Sequence, residues 1–425
     1  MQTPEMVVDQ RSTPGVLSAK LWIRRGSGCD PHHQRGGHQL LGSLLSRGCG
    51  PYGPEELADL VEGCGAGLRS DTNEDGTLIS LKCRDRDADR LLPVIGWMVS
   101  KPHLRQDQIE LERELSLQAL LRQGEDPFQL THDGWRSLAY GSGPYGHDPL
   151  GIAADLETLE PDQLRALHGR LMDDGAVLAL SGTASDSVVS LINAHEAFRS
   201  SGVSKDCTDS EAVEGVAPLS GRDSSATIAM RELPTEQVVL LLGQPTIPHG
   251  HVDEPALHVL QAHLGQGMSS LLFRRLREIH GVAYDVGVHH PARAKASPFV
   301  FHASTSTDRA SMTLKLLLES WEEMTSTTLT ESELSLARTK VRGQLAHASQ
   351  TSGQRAERQA QLRGLGLTVD HDQRCLERIS ALTASDIRDA AARHLRRPLL
   401  SLCGPDQALR SLRSAWEASH LASPD

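Results

Sequence analysis

Leu159-Glu-Pro-Asp-Gln-Leu164 and Leu382-Thr-Ala-Ser-Asp-Ile387 are the two stretches whose reading decides the fold. Each opens a helix. The first has Pro161 in its first turn, where the missing N–H costs nothing. The second has Thr383 as cap and Asp386 three residues on, the spacing of a capping box. Each helix leads to an apolar strand that stops at a glycine: Ala176–Leu180 before Gly182, and Leu399–Leu402 before Gly404. One matching helix–strand unit could be chance, so the order of elements around both copies decides the matter.

Upstream of the first copy, Val16–Ile23 reads as a strand ending at Gly26-Ser27-Gly28, followed by helical patterns at 37–47 and 54–65. Strands at Gly67–Asp71 and Thr77–Cys83, then helices at 87–98, 107–123 and 127–140, complete that half. Upstream of the second copy the same order returns. A strand at Gln237–Leu242 precedes helices at 253–264 and 269–280, strands at Ala283–His289 and Phe299–Ser306, and helices at 310–324, 330–348, 352–364 and 371–380. Agreement over about 200 residues makes duplication the better explanation. Between the copies, Ser200–Ser225 is rich in Ser, Gly and Asp without apolar period and reads as a linker. The expected organisation is two homologous α+β domains, 1–205 and 222–425 around a linker at 206–221. Each is an antiparallel-rich sheet with helices packed on it, since the strands do not alternate strictly with helices.

The 425 residues are too many for one ordinary core, in keeping with two domains. With 38% hydrophobic and 23% charged residues the chain reads as globular, and at 3% aromatic its cores depend on Leu, Val and Ile. A formal charge of −12 lacks the electrostatic footprint of a nucleic-acid binder, and Arg274-Arg275-Leu276-Arg277 reads as a solvated helix face. The seven cysteines include no C-x-x-C pair, which argues for reduced thiols and against a disulfide framework. The polar start Met1–Arg11 has no apolar core of a secretory signal, and no run reaches the ~18 apolar residues of a membrane span. A cytoplasmic location is the expectation.

Several segments together resemble the pitrilysin/insulinase family of zinc peptidases, in particular its short-chain processing-peptidase branch. They are Gly26-Ser27-Gly28, Gly36-Gly37-His38, the stretch Leu57–Pro102, and Tyr140-Gly141-Ser142-Gly143-Pro144-Tyr145-Gly146 with Gly151 after it. In the second half they are Leu264-Gly265-Gln266-Gly267-Met268-Ser269-Ser270-Leu271-Leu272-Phe273 and Arg277-Glu278-Ile279-His280-Gly281-Val282-Ala283-Tyr284. The resemblance covers nearly the whole chain, although the His of the family's Tyr-Gly…His-Pro-Tyr-Gly loop is Gly143 here.

Active members of that family carry H-x-x-E-H on a helix, two histidines four apart on one face with the Glu between them as general base. A third ligand, a Glu, comes from a later helix. Here the motif position reads His38-Gln39-Leu40-Leu41-Gly42, and the later helix reads Glu112-Arg113-Glu114-Leu115-Ser116-Leu117-Gln118-Ala119. The resemblance places the base at Leu41 and the missing ligands at Gly42 and Ala119. One candidate ligand of three remains, too few for a catalytic zinc. His38 then reads as a helix residue with a local hydrogen bond. The neighbours His32-His33 and His289-His290 do not rescue a site, because adjacent strand residues point to opposite faces. The expectation is no metal and no catalytic residue of this chain's own, with zinc in a partner.

What remains is Arg277 and Tyr284, seven apart with Gly281 between them to end a helix. In the resembled family such a pair faces the zinc of the other subunit or half across a closed chamber. There it hydrogen-bonds the substrate backbone near the scissile bond. A guanidinium and a phenol aimed at a developing oxyanion favour the transition state, by about 3 kcal/mol for one well-placed donor. Taken without the family, Arg277 reads as a surface charge and Tyr284 as a strand core residue. Gly265 and Gly267 form a glycine loop that suits a substrate channel or a plain helix–helix turn. A nucleotide loop is disfavoured, because a helix precedes it and Ser270 stands at the third glycine. A nucleophile elbow is not indicated, as no G-x-S-x-G occurs.

The resemblance thus implies half of a clamshell: a non-catalytic, substrate-binding subunit paired with an H-x-x-E-H chain, acting on peptides or small precursors. The alternative is a structural or binding protein of the same fold with no part in proteolysis, as in related core subunits of a respiratory complex.

Overall fold

A computed structural model of the chain describes residues 4–11, 15–183, 186–194, Phe198 and 226–422. It contains two five-stranded sheets with the same strand order. The first runs β1-β5-β2-β4-β3 and the second β6-β10-β7-β9-β8. The strands of the first are β1 (Glu5–Gln10), β2 (Val16–Ile23), β3 (Gly67–Thr72), β4 (Thr77–Arg84) and β5 (Ala176–Gly182). Those of the second are β6 (Ile228–Glu232), β7 (Gln237–Pro245), β8 (Asp285–His289), β9 (Pro298–Ser306) and β10 (Leu399–Gly404). All neighbours are antiparallel except β1 with β5 and β6 with β10, which are parallel. Each half is therefore α+β with an antiparallel-rich sheet. The two sheets share one topology, as duplication requires. The expected linker at 206–221 lies outside the described residues.

β1 and β6 are edge strands that the sequence pattern did not announce. β1 has only Met6-Val7-Val8 between Glu5 and Asp9, too short an alternation to stand out. It is fastened as an edge by Asp9, which accepts from Ser181 Oγ at 2.9 Å and Arg355 Nε at 3.0 Å.

The helices are α1 (Gly37–Leu44), α2 (Pro54–Gly63), α3 (Ala88–Ser100), α4 (Gln106–Gln123), α5 (Pro127–Tyr140), α6 (Ala153–Thr158), α7 (Pro161–Arg170) and α8 (Asp186–Ala194). In the second half they are α9 (Glu254–Gly265), α10 (Ala310–Ser326), α11 (Glu331–His347), α12 (Ser352–Gly364), α13 (His371–Ala381), α14 (Ala384–His394) and α15 (Asp406–Glu417). The two deciding stretches cap their helices as expected. Gln163 Oε1 accepts from Glu160 N at 2.7 Å, and Asp386 Oδ2 accepts from Thr383 N at 2.7 Å while Thr383 Oγ1 accepts from Asp386 N at 3.2 Å.

Two compact units emerge, and each takes one helical segment from the other half of the sequence. One unit is Met1–Leu121, His147–Ser210 and Ala346–Val369; the other is Arg122–Gly146, Glu211–Leu345 and Asp370–Asp425. The strands explain why. Along β2, Leu17, Ala19, Leu21 and Ile23 face the core built by that half's own helices, and Trp22 points the opposite way. That opposite face is covered by α12 through Ala356 and Ala360, with Lys20 Nζ 2.7 Å from Glu357 Oε2. Along β7, Val238, Leu240 and Leu242 face one core, and Val239 and Leu241 face Trp135 and Tyr140 of α5. Trp135 Nε1 donates to Gly243 O at 3.1 Å, and Tyr140 Oη donates to Ala296 O at 3.0 Å. Both sheets are thus apolar on both faces, so their central strands read as nearly unbroken apolar runs.

Candidate functional site

The degenerate zinc position lies at the start of α1. Gly36 enters the helix with φ of 98°, and a Cβ there would lie 2.7 Å from Leu150 O. Asp30 caps the helix: its carboxylate accepts from Gly36 N at 2.7 Å and from His38 N at 3.0 Å. The same carboxylate lies 2.6 Å from His38 Nδ1, so the ring is held by its inner nitrogen. His38 Nε2 is buried and has no hydrogen-bond partner among the described residues.

Among the described residues, the other positions that the resemblance assigns to the zinc site supply no donor. Leu41 is buried in the core. Gly42 lets α1 approach β3: a Cβ there would be 2.5 Å from Thr72 Oγ1. That hydroxyl donates to His38 O at 3.4 Å and lies 3.2 Å from Thr77 Oγ1. Ala119 is half-buried on α4, and Glu112, one turn and more before it, is paired with Arg47 at 2.5 Å. With one imidazole nitrogen, a methyl, a hydrogen and a leucine, this position does not fit a catalytic zinc.

Tyr284 is placed differently from the core reading, whereas Arg277 is exposed, as the surface-charge reading also has it. Arg277 lies on the helical segment Phe273–Ile279 and is exposed, with its guanidinium carbon 5.0 Å from the centre of the Phe273 ring. It has no hydrogen bond or ion pair among the described residues. Gly281, at φ of 59°, ends the segment, and Val282 N turns back to Leu276 O at 2.7 Å. Tyr284 follows at the start of β8, its N donating to Ser304 O at 2.8 Å, and it is 62% exposed. A tyrosine with that much surface is not packing a core. Both heads project from a fixed backbone.

The glycine loop is a helix-to-helix turn at this level. α9 ends at Gly265, where a Cβ would lie 2.6 Å from Val288 N, so only glycine lets the helix end meet β8. Gly267 has φ of 71°, and Lys340 Nζ donates to Gln266 O at 2.7 Å. No strand leads into it, which removes the nucleotide-loop reading.

The neighbouring histidines behave as strand geometry dictates. The His289 ring lies 5.5 Å from the His132 ring, while the His290 ring packs 5.1 Å from Phe299 and 6.0 Å from His258. They share no ligand. What sequence reading missed is the company of His258. Glu254, four residues before it on α9, gathers His249, His258 and His371 around one buried carboxylate. The i, i+4 spacing of Glu254 and His258 was the available signal.

Residues 158–341 match the family described as "Peptidase M16 inactive domain". An uncharacterised zinc protease of Streptomyces coelicolor is 26% identical over 403 residues, covering 92% of this chain and 86% of the relative. Among solved structures, a peptidase M16 inactive domain from Pseudomonas fluorescens superposes with a TM-score of 0.85 at 21% identity, covering 95% of this chain and 97% of that one. A protease from Helicobacter pylori gives 0.83 at 18% identity, covering 95% and 98%. Among the described residues, no helix is long and apolar enough to cross a membrane.

Proposed function

Because the chain belongs to the peptidase M16 (pitrilysin/insulinase) family yet lacks the donors of a catalytic zinc, we propose that it is the non-catalytic, substrate-binding subunit of a heterodimeric zinc peptidase. The partner is a homologous chain that retains H-x-x-E-H and supplies metal, ligands and general base. This chain supplies Arg277, Tyr284 and the wall of a shared chamber. Its substrates are unfolded peptides or small precursors, and it works in the cytoplasm.

The observation that carries this reading is the exposure of Arg277 and Tyr284 beside an edge strand. β8 is the last strand of its sheet, so its outer hydrogen-bonding edge can take up an extended peptide. Arg277 and Tyr284 sit just before that edge. Hydrolysis places negative charge on the scissile carbonyl oxygen, and a guanidinium and a phenol that hold peptide backbone can also stabilise that oxyanion. Backbone recognition of this kind is indifferent to side-chain sequence.

The test is reconstitution. Mixing the purified chain with an H-x-x-E-H relative from the same genome should give peptidase activity that neither shows alone. Arg277→Ala and Tyr284→Phe should each lower kcat/KM about 10- to 100-fold with assembly intact, the worth of one oxyanion donor or less. Unchanged turnover in both variants removes their role and favours a structural protein of the same fold. Peptide cleavage by the isolated chain overturns the proposal outright.

A further inference from the structure

The cluster on α9 has the composition and spacing of a metal site, and it lies wholly within the second unit. Glu254 is 3% exposed. Its Oε2 accepts from Gly250 N at 2.7 Å, which leaves Oε1 facing His249 Nδ1 and, at 3.5 Å, His258 Nε2. His371 Nε2, at the start of α13, lies 3.3 Å from Oε2. Glu254 Oε1 is thus in contact with His249 and near His258, and Oε2 is met by Gly250 N and His371, so one buried carboxylate is ringed by three imidazoles. A buried carboxylate is costly unless charge compensates it, and a metal ion shared with the imidazoles would supply that charge.

We propose that His249, Glu254, His258 and His371 form a closed site for a zinc ion in the second unit. Zinc with bonds of about 2.0 Å to nitrogen and oxygen in a tetrahedron holds its donors roughly 3.3 Å apart. The 3.5 Å from Glu254 Oε1 to His258 Nε2 already matches that spacing, while His371 Nε2 lies 3.3 Å from the other oxygen, Oε2, and has to swing toward Oε1 to complete the set. His249, His258 and Glu254 offer donor atoms all within 4.8 Å of one another. His249 Nδ1 touches Glu254 Oε1 and has to withdraw slightly to admit the ion. The second ring nitrogen of His258 has a neighbour of its own. His258 Nδ1 faces Cys375 Sγ at 3.9 Å, turning Nε2 toward the carboxylate.

The second histidine group nearby is a contrast. Asp253 already accepts from His394 Nε2 at 2.7 Å and Arg393 at 3.0 Å, and His251 Nδ1 is taken by Asp253 N at 3.0 Å. A guanidinium occupies the charge that a cation would need. With four protein donors the Glu254 site has no open position for water, so its zinc is structural. It ties the loop before α9 to α9 and α13, and it is separate from the catalytic zinc assigned above to a partner.

The experiment uses the untagged full chain, stripped with chelator and titrated with zinc chloride. One equivalent should bind with Kd below about 1 μM, and the melting midpoint should rise by several degrees. Cobalt(II) should give the intense visible bands of a tetrahedral site. Glu254→Gln, which keeps the shape and the bond from Gly250, and His258→Gln should each weaken zinc at least 10-fold, while His394→Gln should not. Absence of binding, octahedral cobalt bands, binding undiminished in both cluster variants, or loss only in His394→Gln overturns the assignment. Zinc bound without peptidase activity supports it and leaves the heterodimer reading standing, so the two fail separately.

Discussion

At Gly42 a hydrogen stands where a metal-ligating side chain needs at least a Cβ, and that Cβ would meet Thr72 Oγ1 at 2.5 Å. The loss of the zinc site is therefore built into the packing of α1 on β3 as well as into residue identity. Leu41 makes the same point from the core side, being 1% exposed. Writing the motif back as Leu41→Glu, Gly42→His and Ala119→Glu should therefore fail. The buried glutamate alone should cost about 3 kcal/mol or more in urea denaturation, and overpacking at position 42 a further 1–3 kcal/mol, roughly. Zinc content should not rise above that of the parent chain. A triple variant that gains one zinc and cleaves peptide would show that the site decayed by side chain alone. This part of the site was legible in the sequence because the motif is local: three substituted positions can be read off two helices. The cluster around Glu254 was not, because only Glu254 and His258 share a helix. His249 arrives from a loop and His371 from a helix that follows a long excursion. Tyr284 lay between: its spacing to Arg277 was legible, its exposure was not, since a strand tyrosine points in or out by register alone.

α5 and α12 are the elements that change units, and each binds its sheet by a different chemistry. α12 uses small residues, Ala356 and Ala360, and ion pairs to Lys20 and Asp9. α5 uses aromatic rings and a half-buried imidazole, His132, set against His289 of β8. Burial, reinforced by the charges of Arg136, His289 and Arg293, holds His132 down at about 2. His289 is pushed in the same direction by burial of its ring and by Arg293, His302 and Arg136, but the residue is exposed, so solvent screens it and His132 carries the effect. The His132 ring is thus neutral when folded and titrates near 6.5 when unfolded. Between pH 6.5 and 4 the unfolded chain takes up a proton that the folded one refuses, so stability falls as the pH falls. Above pH 6.5 the two states carry the same charge at this ring and no slope arises. The loss is at most about 1.4 kcal/mol per pH unit. His132→Gln should shallow the slope of unfolding free energy between pH 6.5 and 5 by up to about one proton, measured by urea titration at several pH values. An unchanged slope would mean that His132 is protonated in the fold. The exchange itself left no mark on periodicity, because α5 and α12 read as ordinary amphipathic helices wherever they dock. The edge strands β1 and β6 were illegible for a related reason: five or six residues with charged flanks are strands only because β5 and β10 offer them a parallel neighbour.

At the scale of the whole chain, the repeat in sequence and the repeat in structure have different borders. The strand orders β1-β5-β2-β4-β3 and β6-β10-β7-β9-β8 correspond one to one, so each half of the sequence encodes a complete sheet. Neither half encodes a complete unit, because Arg122–Gly146 and Ala346–Val369 each complete the other half's sheet. Expressed alone, residues 1–205 would leave Trp22, Leu78 and Ala179 without the cover of Ala356 and Ala360. Residues 222–425 alone would leave Val239, Leu241, Val300 and Leu399 without Trp135 and Tyr140. An apolar sheet face left open to water is both a loss of burial and an aggregation hazard. Each fragment should therefore be insoluble or molten by itself, with weak near-ultraviolet dichroism and strong binding of a hydrophobic dye. Produced together, the two should combine one to one and recover the dichroism of the intact chain, since all four exchanged surfaces are then present. Cooperative, dye-free unfolding of either fragment on its own would show that α5 and α12 are accessory to sheets that are stable without them.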